Sequence, residues 1–223
     1  MSKESLVSYL GFEYEMLPGD LDPKGIMQFI KKKQKAGKEH GYIPVIVPVE
    51  DDLEDYLSEQ EEEADGPLRA EEFFLGRDEE YADADELSGE MTKGDKNDTL
   101  VSMIDYESGE PAECVVLHLP TDKPWEAASL VPMGGWNECP DPLQMSVILK
   151  YWYEKYGAVP AAVTHDTLEL ILPEPVPIEK AFEVAREHYL FCPDRVTQCT
   201  ESGTIGELAG DLSVSKVWYF WWD

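Results

Sequence analysis

The residues from Gly134-Gly135-Trp136-Asn137-Glu138-Cys139-Pro140 to the closing Trp218-Tyr219-Phe220-Trp221-Trp222-Asp223 constrain the fold more than any other stretch. They hold all but one of the 6 tryptophans, all but one of the 4 cysteines and half of the 4 histidines. Large aromatic rings are costly to leave in water and bury large areas, so this density marks where a core must close. It names no reaction.

A chain of 223 residues suffices for one substantial domain, with residues 1–223 read as a single unit. There is no run of about eighteen apolar residues, which argues against a membrane-spanning helix. Met1-Ser2-Lys3-Glu4-Ser5-Leu6 lacks a basic stretch followed by an apolar one, which argues against a secretory signal. The cysteines at 114, 139, 192 and 199 are far apart in a chain large enough to need no staples, so free thiols in a reducing cytoplasm are expected. A net charge of −29 argues against direct nucleic-acid binding, because phosphates would be repelled. A basic protein partner, a divalent cation or plain solubility remain as readings of that charge.

The charge is unevenly spread. Between Asp51 and Glu90 stand 18 Asp or Glu against two Arg (Arg69 and Arg77), a net of −16. Like charges this dense repel one another, so residues 51–98 read as an acidic insertion, partly ordered and partly flexible. Leu53, Tyr56 and Leu57 are spaced for a short helix, and Phe73-Phe74-Leu75 read as a small apolar anchor.

Upstream, the stretch from Asp22 to about Lys38 reads as a helix with Ile26, Phe29 and Ile30 inward and lysines near its end, where cations suit the helix dipole. Gly41 then releases a strand from Tyr42 to Val49, whose prolines predict an edge position or bulges. A strand pair is expected at Leu100–Tyr106 and Glu113–Leu119. Asp141-Pro142 caps a helix that Gly157 stops. Strands follow at Ala158–Val163 and Thr167–Leu172. A helix from Ile178 to Tyr189 turns Ile178, Ala181, Phe182 and Ala185 inward, and Thr204-x-x-Glu207 caps another. A final strand from Val217 to Trp222 is apolar on both faces, as for a strand covered on two sides. Alternating helices and strands predict an α/β fold, a layered domain with a mixed sheet flanked by helices.

Four ordered motifs carry a resemblance: Gly134 to Pro140; Tyr151-Trp152-Tyr153-Glu154-Lys155-Tyr156-Gly157-Ala158; Glu187-His188-Tyr189-Leu190-Phe191-Cys192-Pro193-Asp194 with Gln198; and Trp218 to Asp223. Together they resemble a bacterial family of uncharacterised proteins, domain of unknown function 4253, over roughly residues 131–223. The Pro44-Val45-Ile46-Val47 strand resembles the family's upstream region more weakly. The stretch from Gln198 to Thr204 departs from the family pattern, which has a glycine directly after the glutamine. The resemblance implies a family-like C-terminal core and a bacterial cytoplasmic setting, and no activity.

Cys139 is the candidate nucleophile, since it follows a Gly-Gly turn and precedes a helix N-terminus that could lower its pKa. His165 or His188 would then serve as base. The competing reading is a buried, inert cysteine. His165-Asp166 lies between two strands, where a turn built by the aspartate competes with an acid-base role. His188, Cys192, Asp194 and Cys199 invite a zinc site, but their spacing fits no knuckle and a metal-free helix end is expected. Asp83 to Gly89 is out of register for a calcium loop. Trp136, Asn137 and Glu138, with Asp194 and Gln198, form the candidate binding set, read either as a recognition pocket or as a core ring beside a braced turn.

Two functions follow. One is a cytoplasmic, cofactor-free binding protein that holds a basic protein through its acidic surface, in the manner of an immunity protein. The other is a thiol-dependent hydrolase or transferase that uses Cys139 with a histidine base. No Gly-x-x-x-x-Gly-Lys-Ser/Thr phosphate loop is present.

Overall fold

A computed structural model of the chain describes residues 11–49, 69–81, 84–104, 112–131, 133–135 and 137–223. Its strands are β1 (Glu13–Met16), β2 (Ile43–Pro48), β3 (Cys114–Leu119), β4 (Val159–Val163), β5 (Thr167–Ile171) and β6 (Val217–Trp221). Its α-helices among the described residues are α1 (Pro23–His40), α2 (Ala70–Glu80), α3 (Ala127–Leu130), α4 (Pro142–Tyr156), α5 (Ala181–Phe191), α6 (Asp194–Thr197) and α7 (Ile205–Leu212). The strands form one open mixed sheet in the order β1-β3-β2-β4-β5-β6, and helices flank it, so the fold is the α/β arrangement the sequence implies. None of the described helices is long and apolar enough to cross a membrane.

Successive side chains of a strand point to opposite faces, and both faces of this sheet are apolar. On one face Ile46, Val116, Ala162 and Val217 meet Ile26, Met27 and Ile30 of α1, together with Leu100 and Met103. On the other, Val45, Leu117, Leu168, Leu170, Trp218 and Phe220 meet residues of α2, α4, α5 and α7. The aromatic-rich end of the chain closes this second layer. Trp152 of α4 lies edge-on to Trp218 at 5.4 Å and to Phe191 at 5.0 Å, and stacks on Phe220 at 5.4 Å.

Helix ends follow local chemistry. Asp22 accepts the Gly25 N–H at 2.7 Å ahead of Pro23, and Gly41 ends α1 at φ 79°. Asp141 accepts from Leu143 N at 2.8 Å and Gln144 N at 2.9 Å, and Gly157 ends α4 at φ 69°.

Five expectations change, in whole or in part. β2 is central and wholly buried, not an edge: it pairs antiparallel with β3 over its full length and parallel with β4 at Ile46↔Ala162. Pro44 and Pro48 flank that single parallel pair and have no N–H with which to extend it. Residues 100–104 are not the partner strand of β3; its partners are β1, which the sequence reading missed, and β2. The N–H groups of Val101 and Ser102 turn to the Glu169 carboxylate of β5 at 2.9 and 3.1 Å. β6 is the sheet's edge, with Trp218 and Phe220 buried and Tyr219 and Trp221 half-buried. Ile178 begins a 3-10 turn and is 68% exposed, and Phe182 is also exposed; Val184 and His188 join Ala181 and Ala185 inside. The apolar anchor holds for Phe73, while Leu75 is exposed. The expected helix around Leu53–Leu57, and residues 105–106 with the turn after them, lie outside the described residues.

Candidate functional site

Three segments distant in sequence meet around the last residues of the chain: the turn 137–140, the β4–β5 hairpin tip and the corner between α5 and α6. The hairpin tip is built by Asp166. Its Oδ1 accepts from the hydroxyls of Thr164 and Thr167, each at 2.8 Å, and its Oδ2 accepts from Trp221 Nε1 at 2.9 Å. The Asp166 carbonyl takes the Trp222 N–H at 3.1 Å, so the tip of the hairpin holds the end of β6. Asp166 thus builds the hairpin turn with its own side chain. At the same tip His165 Nε2 lies 3.5 Å from Asp166 Oδ2.

Asp194 opens α6 and clamps two groups. One oxygen accepts from Gln198 Nε2 at 2.8 Å, and the other from the Asp223 N–H at 3.1 Å. From the opposite side Asn137 donates its side-chain amide to the Asp223 carbonyl at 2.5 Å. Asn137 has φ 49°, a left-handed conformation that asparagine tolerates better than most residues. The turn before it needs glycine: at Gly134 (φ 86°) an added Cβ would lie 2.0 Å from the Pro140 carbonyl and 3.0 Å from Cys139 Sγ. Glu138 is exposed, and its carbonyl accepts from Arg77 Nη2 of α2 at 2.8 Å. Trp136 lies outside the described residues.

Cys139 is buried beneath this turn. Burial pushes its thiol well above the ordinary range, the Asp166 carboxylate adds to the shift, and Arg77 opposes it. Cys192 is buried too, donates its thiol to the Trp221 carbonyl at 3.1 Å, and is likewise shifted upward by burial. In both cysteines burial disfavours the thiolate, the form that nucleophilic attack requires. Among the described residues, no group of three or more His, Cys, Asp or Glu is placed to hold a metal ion.

His188 stands apart from this cluster. Its ring lies in the aromatic core, 4.5 Å from Trp218, 4.6 Å from Phe220 and 5.1 Å from Trp152, with neither nitrogen hydrogen-bonded among the described residues. The structure therefore brings Asn137, Asp194 and Gln198 together around Asp223, sets Cys139 under them near Asp166, and leaves His188 elsewhere. The hydrogen bonds of this polar set tie the turn 137–140 and the start of α6 to Asp223. Arg77 is the member that sequence reasoning missed, and one of only two arginines in an acidic block was the available signal.

The family model of a domain of unknown function, DUF4253, matches residues 115–223, the C-terminal part of the chain. The match takes in the whole polar cluster except Arg77, and it begins upstream of the motifs that carry the resemblance. Comparison with the curated proteins finds no match, and comparison with the solved structures finds none either.

Proposed function

We propose that the chain is a non-catalytic binding protein of the bacterial cytoplasm that holds a basic protein partner through its acidic surface, in the manner of an immunity protein. The observation that carries this reading is that α2, within the acidic block, is docked on the body of the protein with glutamates outward. Phe73 is buried, its ring 6.5 Å from Phe191. Arg186 of α5 reaches Asp78 at 2.6 Å and Asp85 at 2.8 Å. Those contacts fix the helix and leave Glu71, Glu79, Glu86 and Glu90 exposed and outside these ion pairs. A rigid acidic face speeds encounter with a basic partner and makes association salt-sensitive. Four free cysteines, three of them buried, fit a reducing compartment. The thiol-dependent alternative has weaker support, since Cys139 is buried with its thiol shifted upward and His188 sits in the core.

The test is capture from the host lysate at low salt, with the native protein beside a variant carrying Glu71→Lys, Glu79→Lys, Glu86→Lys and Glu90→Lys. The expected result is a stoichiometric basic protein that salt releases and the variant does not retain. Equal retention by both proteins, or no basic partner at low salt, overturns the reading.

A further inference from the structure

An acidic chain concentrates its cations in one place. Of 18 Lys and Arg, six lie in α1: Lys24, Lys31, Lys32, Lys33, Lys35 and Lys38. Lys33 turns to the sheet and pairs with Glu15 of β1. Lys31, Lys35 and Lys38 are spaced four and three residues apart, which places them on one face of the helix. No carboxylate pairs with them among the described residues, although the chain holds 47 acidic residues.

That face borders a groove between α1, the entry ends of β2 and β4, and α4. Its inner lobe, about 270 Å³, is lined by Lys31, Gln34, Lys35 and Lys38 on one side and by Pro44 and Tyr153 on the other. An outer lobe of about 650 Å³ continues past Lys31, Gln34, Lys38 and Tyr153 toward Lys216. Gly37 lets the helix lie close against the start of β2; a Cβ there would stand 2.2 Å from the Tyr42 carbonyl. Gln34 lines both lobes, and its side-chain Nε2 is buried without an acceptor among the described residues. A buried donor left in that state is uncommon. One carboxylate borders each lobe, Asp122 the inner and Glu154 the outer, and Glu154 lies 4.0 Å from Lys150.

We propose that this groove binds a small organic phosphate, with Lys31, Lys35, Lys38 and the Gln34 amide on the phosphoryl oxygens and the carbon skeleton against Pro44 and Tyr153. Three ammoniums and an amide N–H offer only donors, so the complement is a group that only accepts. Phosphate is such a group, and lysine serves it as a compact point charge. The inner lobe, about 270 Å³ and mainly apolar, is close to the small end of small-molecule pockets, and the more polar outer lobe, about 650 Å³, lies within their range. A nucleic-acid polymer is a poorer fit, because each further phosphate adds repulsion from the −29 chain while only the groove attracts. This site lies away from the acidic helix, and neither proposal depends on the other.

Titration of the ¹⁵N-labelled protein with AMP, pyrophosphate and adenosine tests it. AMP and pyrophosphate are expected to shift the Gln34 side-chain NH₂ resonances saturably, and adenosine to leave them unmoved. A variant with Lys31→Gln, Lys35→Gln and Lys38→Gln should bind at least about tenfold more weakly, the scale of losing charged hydrogen bonds. A variant with Lys24→Gln and Lys32→Gln should bind as the native protein does. The proposal fails if neither phosphate moves Gln34, if adenosine moves it equally, or if the two variants respond alike. All the substituted lysines are exposed or at the surface of α1, and a thermal melt verifies that each variant is folded.

Discussion

His188 occupies a position where an apolar ring would satisfy every neighbour. Both nitrogens are buried without partners among Trp152, Trp218 and Phe220, and burial holds its pKa well below 6.5, with the positive charge of Arg195 acting in the same direction. Above the ordinary value of 6.5 the residue is neutral in both folded and unfolded chains and adds no pH dependence. As the pH falls below that value, the unfolded chain takes up a proton that the folded chain refuses. Stability is therefore lost toward acid, by up to about 1.4 kcal/mol per pH unit. Burial raises the carboxyls of Glu169 and Glu187, whose contributions tilt the opposite way. Those contributions are common to native protein and variant and cancel in their difference. His188→Phe should keep its stability at pH 7 and lose this slope between about pH 6.5 and pH 5. Urea unfolding at several pH values measures it, and parallel pH profiles for the two proteins would show that His188 is not the source. At this scale, what the sequence made legible is what acts locally. Asp141 and Thr204 cap helices three residues or fewer away, and Asp166 builds its own turn. Arg77 on Glu138 and Glu169 on Val101 span more than sixty residues, a distance over which spacing in the chain carries no information.

At the scale of elements, strongly periodic helices with caps were readable and the strand order was not. β1 (Glu13-Tyr14-Glu15-Met16) is a short, mostly exposed strand paired with β3 alone; the alternation from Phe12 to Met16 and the Pro18-Gly19-Asp20 turn after it were its signals, and the sequence reading passed over them. β2 carries two prolines, yet its six buried residues and full antiparallel ladder to β3 outweigh the lost donors. Its position has a further consequence. β2 lies outside the family-matched segment 115–223 but stands between β3 and β4, both of which lie essentially within it. Residues 112–223 alone would leave β3 detached from the rest of the sheet and expose Val45, Ile46 and Val47's partners to water. An unpaired central edge of this kind is both apolar and open to strand addition. The fragment should therefore be insoluble or lack dispersed amide resonances, and co-expression with residues 1–111 should restore a folded complex. A soluble, cooperatively melting 112–223 fragment would show that the matched segment carries its own fold.

For the molecule as a whole, composition announced the charge and only the fold shows its arrangement: lysines gathered on α1 beside one end of the sheet, glutamates on α2 across the opposite face. The described ion pairs are mostly exposed, and exposed pairs contribute about 0–1 kcal/mol each. They cannot offset the self-repulsion of a net charge of −29, which disfavours the compact state. Screening weakens both effects, but repulsion acts over the whole molecule and the pairs only locally. Added salt should then stabilise the protein. Raising NaCl from about 0.01 M to about 0.15 M shortens the screening length from about 30 Å to about 8 Å, less than the span of a domain this size. The melting temperature should rise across that range. Reversing Glu71, Glu79, Glu86 and Glu90 to Lys changes the net charge by four times two, from −29 to −21, and should make the rise smaller. Scanning calorimetry at the two salt concentrations decides the matter. A melting temperature that falls with salt in the native protein would mean that local ion pairs, such as Arg186 with Asp78 and Asp85, outweigh the global repulsion, and that the acidic face stabilises this fold directly.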